Sequence, residues 1–115
     1  MKFSGVEVIG KPWGREIIIA SEKEYIGKII EVDKGARLSH QYHEKKKETM
    51  YVLSGRMKLV HGEGEKTLDT GDTVTLDPGD THRIEALEDL RIIEVSTFHP
   101  DDVIRIADDY GRSSP

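Results

Sequence analysis

The chain has 115 residues, a formal charge of -5 with acids and bases interspersed, 34% charged residues and no cysteine. This length makes one domain, the interspersed acidic charge argues against a nucleic-acid surface, and the lack of cysteine excludes disulfides and thiolate metal sites. No apolar run approaches the ~20 residues of a membrane span, and Met1–Val6 lacks the apolar stretch of a signal peptide, so a cytoplasmic address with no membrane or nucleic-acid partner is expected.

In chain order, residues 1–14 read as an extended arm ending in the turn Lys11-Pro12-Trp13-Gly14, whose Trp13 is the only tryptophan and is expected to cover one end of the fold. Arg15–Ala20 and Tyr25–Val32 are β-branched strands separated by the polar turn Ser21–Glu24. Leu38–His43 and Glu48–Ser54 are the next strands, joined by the charged loop Glu44-Lys45-Lys46-Lys47. Arg56–His61 alternates, turns at Gly62-Glu63-Gly64 and returns as Glu65–Leu68. Thr73–Leu76, His82–Ala86 after Pro78-Gly79, and Leu90–Phe98 follow, then a short alternation at Val103–Ile106 and a tail at 109–115 with a frayed end from Arg112 to Pro115. About ten short strands without an amphipathic helix predict an all-β sandwich or barrel, one domain over 1–115.

One set of residues stands out as metal ligands. Alternation along Leu38–His43 puts Gln41 and His43 on one face and His40 on the other, where packing or a dimer contact suits it. Glu48 opens an apolar strand whose Met50 and Val52 share its face, and a carboxylate there needs a partner, most simply a cation. His82 starts a third strand, with Ile84 and Ala86 on its face. Two imidazoles, a carboxylate and the Gln41 amide suit one divalent ion, Zn, Mn, Fe or Co; Gln41 either coordinates or hydrogen-bonds beside the site. His61 and His99, in or beside turns, read as ordinary polar residues.

The pattern Gly35-x5-Gln41-x-His43-x4-Glu48-x6-Gly55, followed by Pro78-Gly79-x2-His82, resembles the two signature motifs of the cupin superfamily. Gln41 in place of the commoner histidine, with Lys11-Pro12-Trp13-Gly14, His82-Arg83-Ile84-Glu85 and Asp109-Tyr110-Gly111-Arg112, is similar to the phosphomannose isomerase module at the C-terminal end of bifunctional isomerase/guanylyltransferases. The resemblance implies a cupin double-stranded β-helix, a jelly-roll barrel. It also implies metal-dependent interconversion of mannose 6-phosphate and fructose 6-phosphate through an enediolate. A chain of one domain with no Gly-rich nucleotide fingerprint is not expected to transfer nucleotides. The sugar phosphate needs a cationic clamp, for which Lys45, Lys46, Lys47 and Arg83 are the expected residues, with Lys46 standing where the related module has an arginine and Arg83 reaching only from a rim. The general base is not identified; Glu94, which alternates with Ile92 and Ser96, is an inward carboxylate or a structural ion pair.

Two other readings share the same ligands: a non-catalytic cupin binding a sugar or sugar phosphate, and an Fe-dependent cupin oxygenase. A homodimer is expected from the extended arm and exposed sheet edges.

Overall fold

Runs of β-branched residues, cut by Gly, Asp and Pro turns, form eleven strands among the described residues. The computed structural model describes residues 1–112; the rest of the expected frayed tail, 113–115, lies outside the described residues. Strands β1 (Glu7–Lys11), β2 (Gly14–Ser21), β3 (Ile26–Val32), β10 (Leu90–Ser96), β5 (Glu48–Ser54) and β8 (Thr73–Leu76) form a six-stranded sheet in that order. Strands β11 (Ile104–Ala107), β4 (His40–Tyr42), β9 (His82–Ala86), β6 (Arg56–His61) and β7 (Gly64–Asp69) form a five-stranded sheet. From β3 to β10 the chain changes sheet at every connection except the β6–β7 hairpin, which makes the two antiparallel sheets a jelly roll. No helix is long and apolar enough to cross a membrane.

Two elements differ from the sequence reading. Residues 7–11 of the extended arm fold back as β1 onto β2, with Glu7 opposite Ile18 and Lys11 opposite Gly14, so the arm becomes the outer strand of the larger sheet. The strand expected over Leu38–His43 contracts to His40–Tyr42, because β4 meets β9 at the single pair Gln41–His82 before the chain bends away. The His43 carbonyl then accepts the Gly79 N–H at 2.7 Å, tying the two ligand-bearing segments together.

Alternation decides what each sheet buries. Met50, Val52, Met57, Leu90 and Ile92 fill the space between the sheets at 1% exposure or less, and Trp13 caps that core at 3%. On the opposite face of the larger sheet, Val8, Ile17, Ile29, Ile93 and Tyr51 stand in register across five strands.

Gly55, which ends β5, has φ 88°, and a β-carbon there would lie 2.2 Å from the Asp89 carbonyl oxygen. Backbone against backbone cannot give way cheaply. Gly55→Ala is therefore expected to cost roughly 2 kcal/mol or more, and Ile92→Ala about 3 kcal/mol through the cavity it leaves. Urea unfolding checks both; an unchanged midpoint for Gly55→Ala would contradict the close approach.

Candidate metal centre

Glu48 begins β5 on its inward face and is 3% exposed. Its Oε1 lies 3.2 Å from His43 Nε2 and 3.4 Å from His82 Nε2, and the two rings are 5.4 Å apart at their centroids. One donor atom from each of the three residues falls within 4.8 Å of the others, so the set could hold a metal ion.

The other ring nitrogens define what this arrangement needs. His43 Nδ1–H donates to the Asp102 carbonyl and His82 Nδ1–H to the Asp80 carbonyl at 3.0 Å. A carbonyl can only accept, so Nδ1 carries the proton of each neutral ring and Nε2 turns a lone pair toward Glu48. Burial lowers the His82 pKa despite the Asp80 hydrogen bond and favours its neutral form. Burial also works against ionisation of Glu48, but His43 and Lys46 outweigh it and hold the carboxyl well below the usual range. Two lone pairs and a carboxylate oxygen thus converge in a buried place. A cation satisfies all three. Nitrogen and oxygen donors without sulfur fit Zn, Mn, Fe or Co.

Gln41 lines the same cavity of about 140 Å³ as His43 and Glu48. Its amide oxygen accepts the Ser39 hydroxyl at 2.6 Å, which orients it beside the three donors. His40 lies outside this cavity, and its buried Nε2 has no hydrogen-bond partner among the described residues. His61 is exposed and His99 half-buried, and neither joins the three donors, although His61 stands opposite His82 in the β6–β9 register.

The expected phosphate-binding cations fall in different places. Lys46 is buried in the cavity wall, with its ammonium 3.2 Å from Glu48 and 3.4 Å from Glu94. Burial disfavours its charge, but Glu94 and Glu48 more than compensate and raise its pKa. Arg83 is not brought to the cavity: alternation turns it to the outside of the smaller sheet, where it donates to the Leu38 carbonyl at 2.9 Å and pairs with Asp109 at 2.7 Å. Lys45 and Lys47 are exposed, and Lys47 pairs with Asp77 at 3.3 Å.

Glu94 is inward and 4% exposed, facing the cavity with Lys28 3.6 Å away. Its Oε2 has no hydrogen-bond partner among the described residues. Burial, reinforced by the Glu48 charge, pushes its carboxyl up to about 7 against the pull of Lys28 and Lys46. Lys28 also reaches Glu16 at 3.2 Å. Lys28 was legible as an inward cation, because it stands between the buried Ile26 and Ile30.

Asp102 has no such signal. Besides accepting from His43 through its carbonyl, it takes the N–H groups of Glu44, Lys45 and Lys46 on its carboxylate at 3.0, 2.7 and 2.9 Å. Burial would raise its pKa, but these donors outweigh it and hold the carboxyl at about 2. The pairing spans more than fifty residues of sequence, and neither periodicity nor a local motif announces it.

His43→Ala and His82→Ala are each expected to abolish stoichiometric binding of Zn or Mn in calorimetry while the fold survives by circular dichroism. Full metal occupancy in either variant would contradict the assignment. Asp102→Ala should cost roughly 1–3 kcal/mol at neutral pH. The folded pKa of Asp102 lies below the free value, so its contribution is present above about pH 4 and lost as pH falls toward 2. The stability gap between parent and variant, both metal-free, should therefore shrink over that window; a gap independent of pH would rule out the carboxylate as its source.

Residues 4–108 match the family model described as "Mannose-6-phosphate isomerase C-terminal". The chain is 35% identical over 107 residues to a mannose-1-phosphate guanylyltransferase of Escherichia coli, covering 89% of this chain and 22% of that protein. It is 29% identical over 108 residues to the mannose-1-phosphate guanylyltransferase RfbM of Salmonella typhimurium, covering 90% of this chain and 22% of the relative. The chain thus spans about a fifth of the length of the curated relatives it matches. Among solved structures, an RmlC-like cupin from Shewanella frigidimarina superposes with a TM-score of 0.70 at 19% identity, over 80% of this chain and 83% of that one. With its jelly roll and its family match over residues 4–108, the chain belongs to the mannose-6-phosphate isomerase C-terminal family and has the cupin fold.

Proposed function

We propose that this domain is a metal-dependent aldose-ketose isomerase that interconverts mannose 6-phosphate and fructose 6-phosphate. The observation that carries the reading is a buried carboxylate, Glu94, opening on the same cavity as the donors His43 and Glu48 in a chain of this family. His43, Glu48 and His82 would hold the ion, with Gln41 beside them. A bound divalent ion supplies Lewis acidity toward substrate oxygens.

The protein supplies the proton transfer and the enclosure. The reaction moves one proton from the carbon beside the carbonyl to its neighbour, while a hydroxyl proton moves between the two oxygens. Glu94 is the carboxylate placed for the carbon proton: of the cavity carboxylates that are not metal donors, Asp102 is taken up by three backbone N–H groups and Glu16 by Lys28, whereas Glu94 Oε2 has no hydrogen-bond partner among the described residues. Burial and the neighbouring Glu48 charge raise its pKa above the usual carboxylate range, which makes it a stronger base for that proton. Lys46 bridges Glu94 and Glu48 and partly offsets the repulsion between their charges. Trp13, Ile30 and Leu38 complete an apolar part of the wall.

Metal-loaded protein incubated with fructose 6-phosphate in heavy water should yield mannose 6-phosphate carrying deuterium at the exchanging carbon, followed by NMR. Glu94→Gln should lower turnover by about 10²–10⁴-fold with metal still bound. Saturable binding with neither product nor exchange would leave a sugar-phosphate-binding cupin, and oxygen consumption dependent on Fe would point to an oxygenase.

Self-association is the second part of the reading. The apolar row Val8–Ile17–Ile29–Ile93–Tyr51 spans about 20 Å at the usual strand spacing. A second copy carries the same row, so a two-fold, sheet-on-sheet pairing covers both at once. Light scattering at micromolar concentration should give a dimer mass, and Val8→Lys with Tyr51→Lys a monomer; a monomeric parent would contradict the pairing.

A further inference from the structure

The cations that line the metal-side cavity can be sorted by what they already hold. Lys46 is shared by Glu48 and Glu94, Lys28 by Glu16 and Glu94, and Arg112 forms a two-pronged pair with Asp108 at 2.8 and 3.0 Å. Arg105 is also engaged. Lys11 is different. It lines the cavity and is half-buried, and no ion pair or hydrogen bond of its ammonium exists among the described residues.

Its position is fixed by the turn that carries it. Lys11 pairs with Gly14 across Pro12-Trp13, and Trp13 is anchored in the core at 3% exposure. Gly14 approaches β3 so closely that a β-carbon would lie 2.0 Å from the Glu31 carbonyl oxygen, which leaves the turn no room to shift. A half-buried ammonium held on a rigid turn, beside a cavity in a chain of net charge -5, is prepared for an anion that this chain does not itself supply. Arg112 lines the same cavity, and its pairing with Asp108 uses two of the five guanidinium N–H groups.

We propose that Lys11, assisted by Arg112, holds the phosphoryl group of the substrate, so that the Lys11-Pro12-Trp13-Gly14 turn selects phosphorylated over free sugar. This deepens the isomerase reading and rests on it for the identity of the sugar. It also moves the anion-binding role from Lys46, whose ammonium is occupied, and from Arg83, which lies on the outer face.

Trp13 lines this cavity and is the only tryptophan, so its fluorescence reports on binding without turnover. The probes are inorganic phosphate, fructose 6-phosphate and fructose, titrated into metal-loaded parent, Lys11→Gln and Lys11→Arg, with ³¹P NMR as a second readout. The expected result is saturable phosphate binding in the parent, weakened at least about tenfold in Lys11→Gln and largely restored in Lys11→Arg. Fructose binding and metal affinity should be unchanged, and KM for the sugar phosphate should rise. Equal phosphate affinity in parent and Lys11→Gln, or equal weakening of fructose and phosphate, would overturn the proposal even if isomerisation is observed. Lys11-dependent phosphate binding without isomerisation would uphold it and sink the isomerase reading instead.

Discussion

The burial of one carboxylate organises this protein. Glu48 sits on the inner face of β5 at 3% exposure, where an ionised group survives only if its surroundings replace water. One oxygen is met by two imidazole nitrogens and the other by the Lys46 ammonium. The imidazoles are in turn held by backbone carbonyls of Asp102 and Asp80, so their tautomers are set by segments far apart in the chain. Breaking any of these contacts leaves a buried charge or a misdirected lone pair. The loop geometry around the centre is therefore as much a part of the site as the donors.

From Glu48 the polar interior continues in alternating sign. Lys46 joins Glu48 to Glu94, and Lys28 joins Glu94 to Glu16, on strands that otherwise bury isoleucine. Such a chain of buried ions is costly for stability compared with an apolar core of the same shape. Its cost is local, because the other part of the space between the sheets is filled by Met57, Leu59, Leu68, Ile84 and Ala86. The fold thus separates an apolar part that holds the sheets together from a charged part that contains the candidate metal donors.

Much of the fold was legible because strand period and turn chemistry agree along most of the chain. Glu48–Ser54, Arg56–His61, Thr73–Leu76 and His82–Ala86 appear with the expected bounds. The donors His43, Glu48 and His82 were legible for the same reason: alternation places each on a buried face, and a buried titratable residue is conspicuous. What sequence could not carry was anything set by long-range closure. Asp102 acts through a carbonyl and a carboxylate directed at a loop more than fifty residues earlier, and no local pattern encodes that. Lys46, one of three adjacent lysines expected at the phosphate, is folded into the buried wall, whereas its neighbours Lys45 and Lys47 are exposed. The outward turn of Arg83 followed from parity alone, but its tie to Asp109 did not. The arm at 7–11 lacked a partner in sequence because its partner is simply the next strand.

The most direct test of this account is an anomalous-difference map from crystals grown with Mn or Zn. The account predicts one strong peak within metal-ligand distance, about 2.0–2.2 Å, of His43 Nε2, His82 Nε2 and a Glu48 oxygen. It also predicts that the two Nδ1 hydrogen bonds to Asp102 and Asp80 are preserved. A metal bound elsewhere, or an empty centre with the ring nitrogens turned away from Glu48, would contradict it.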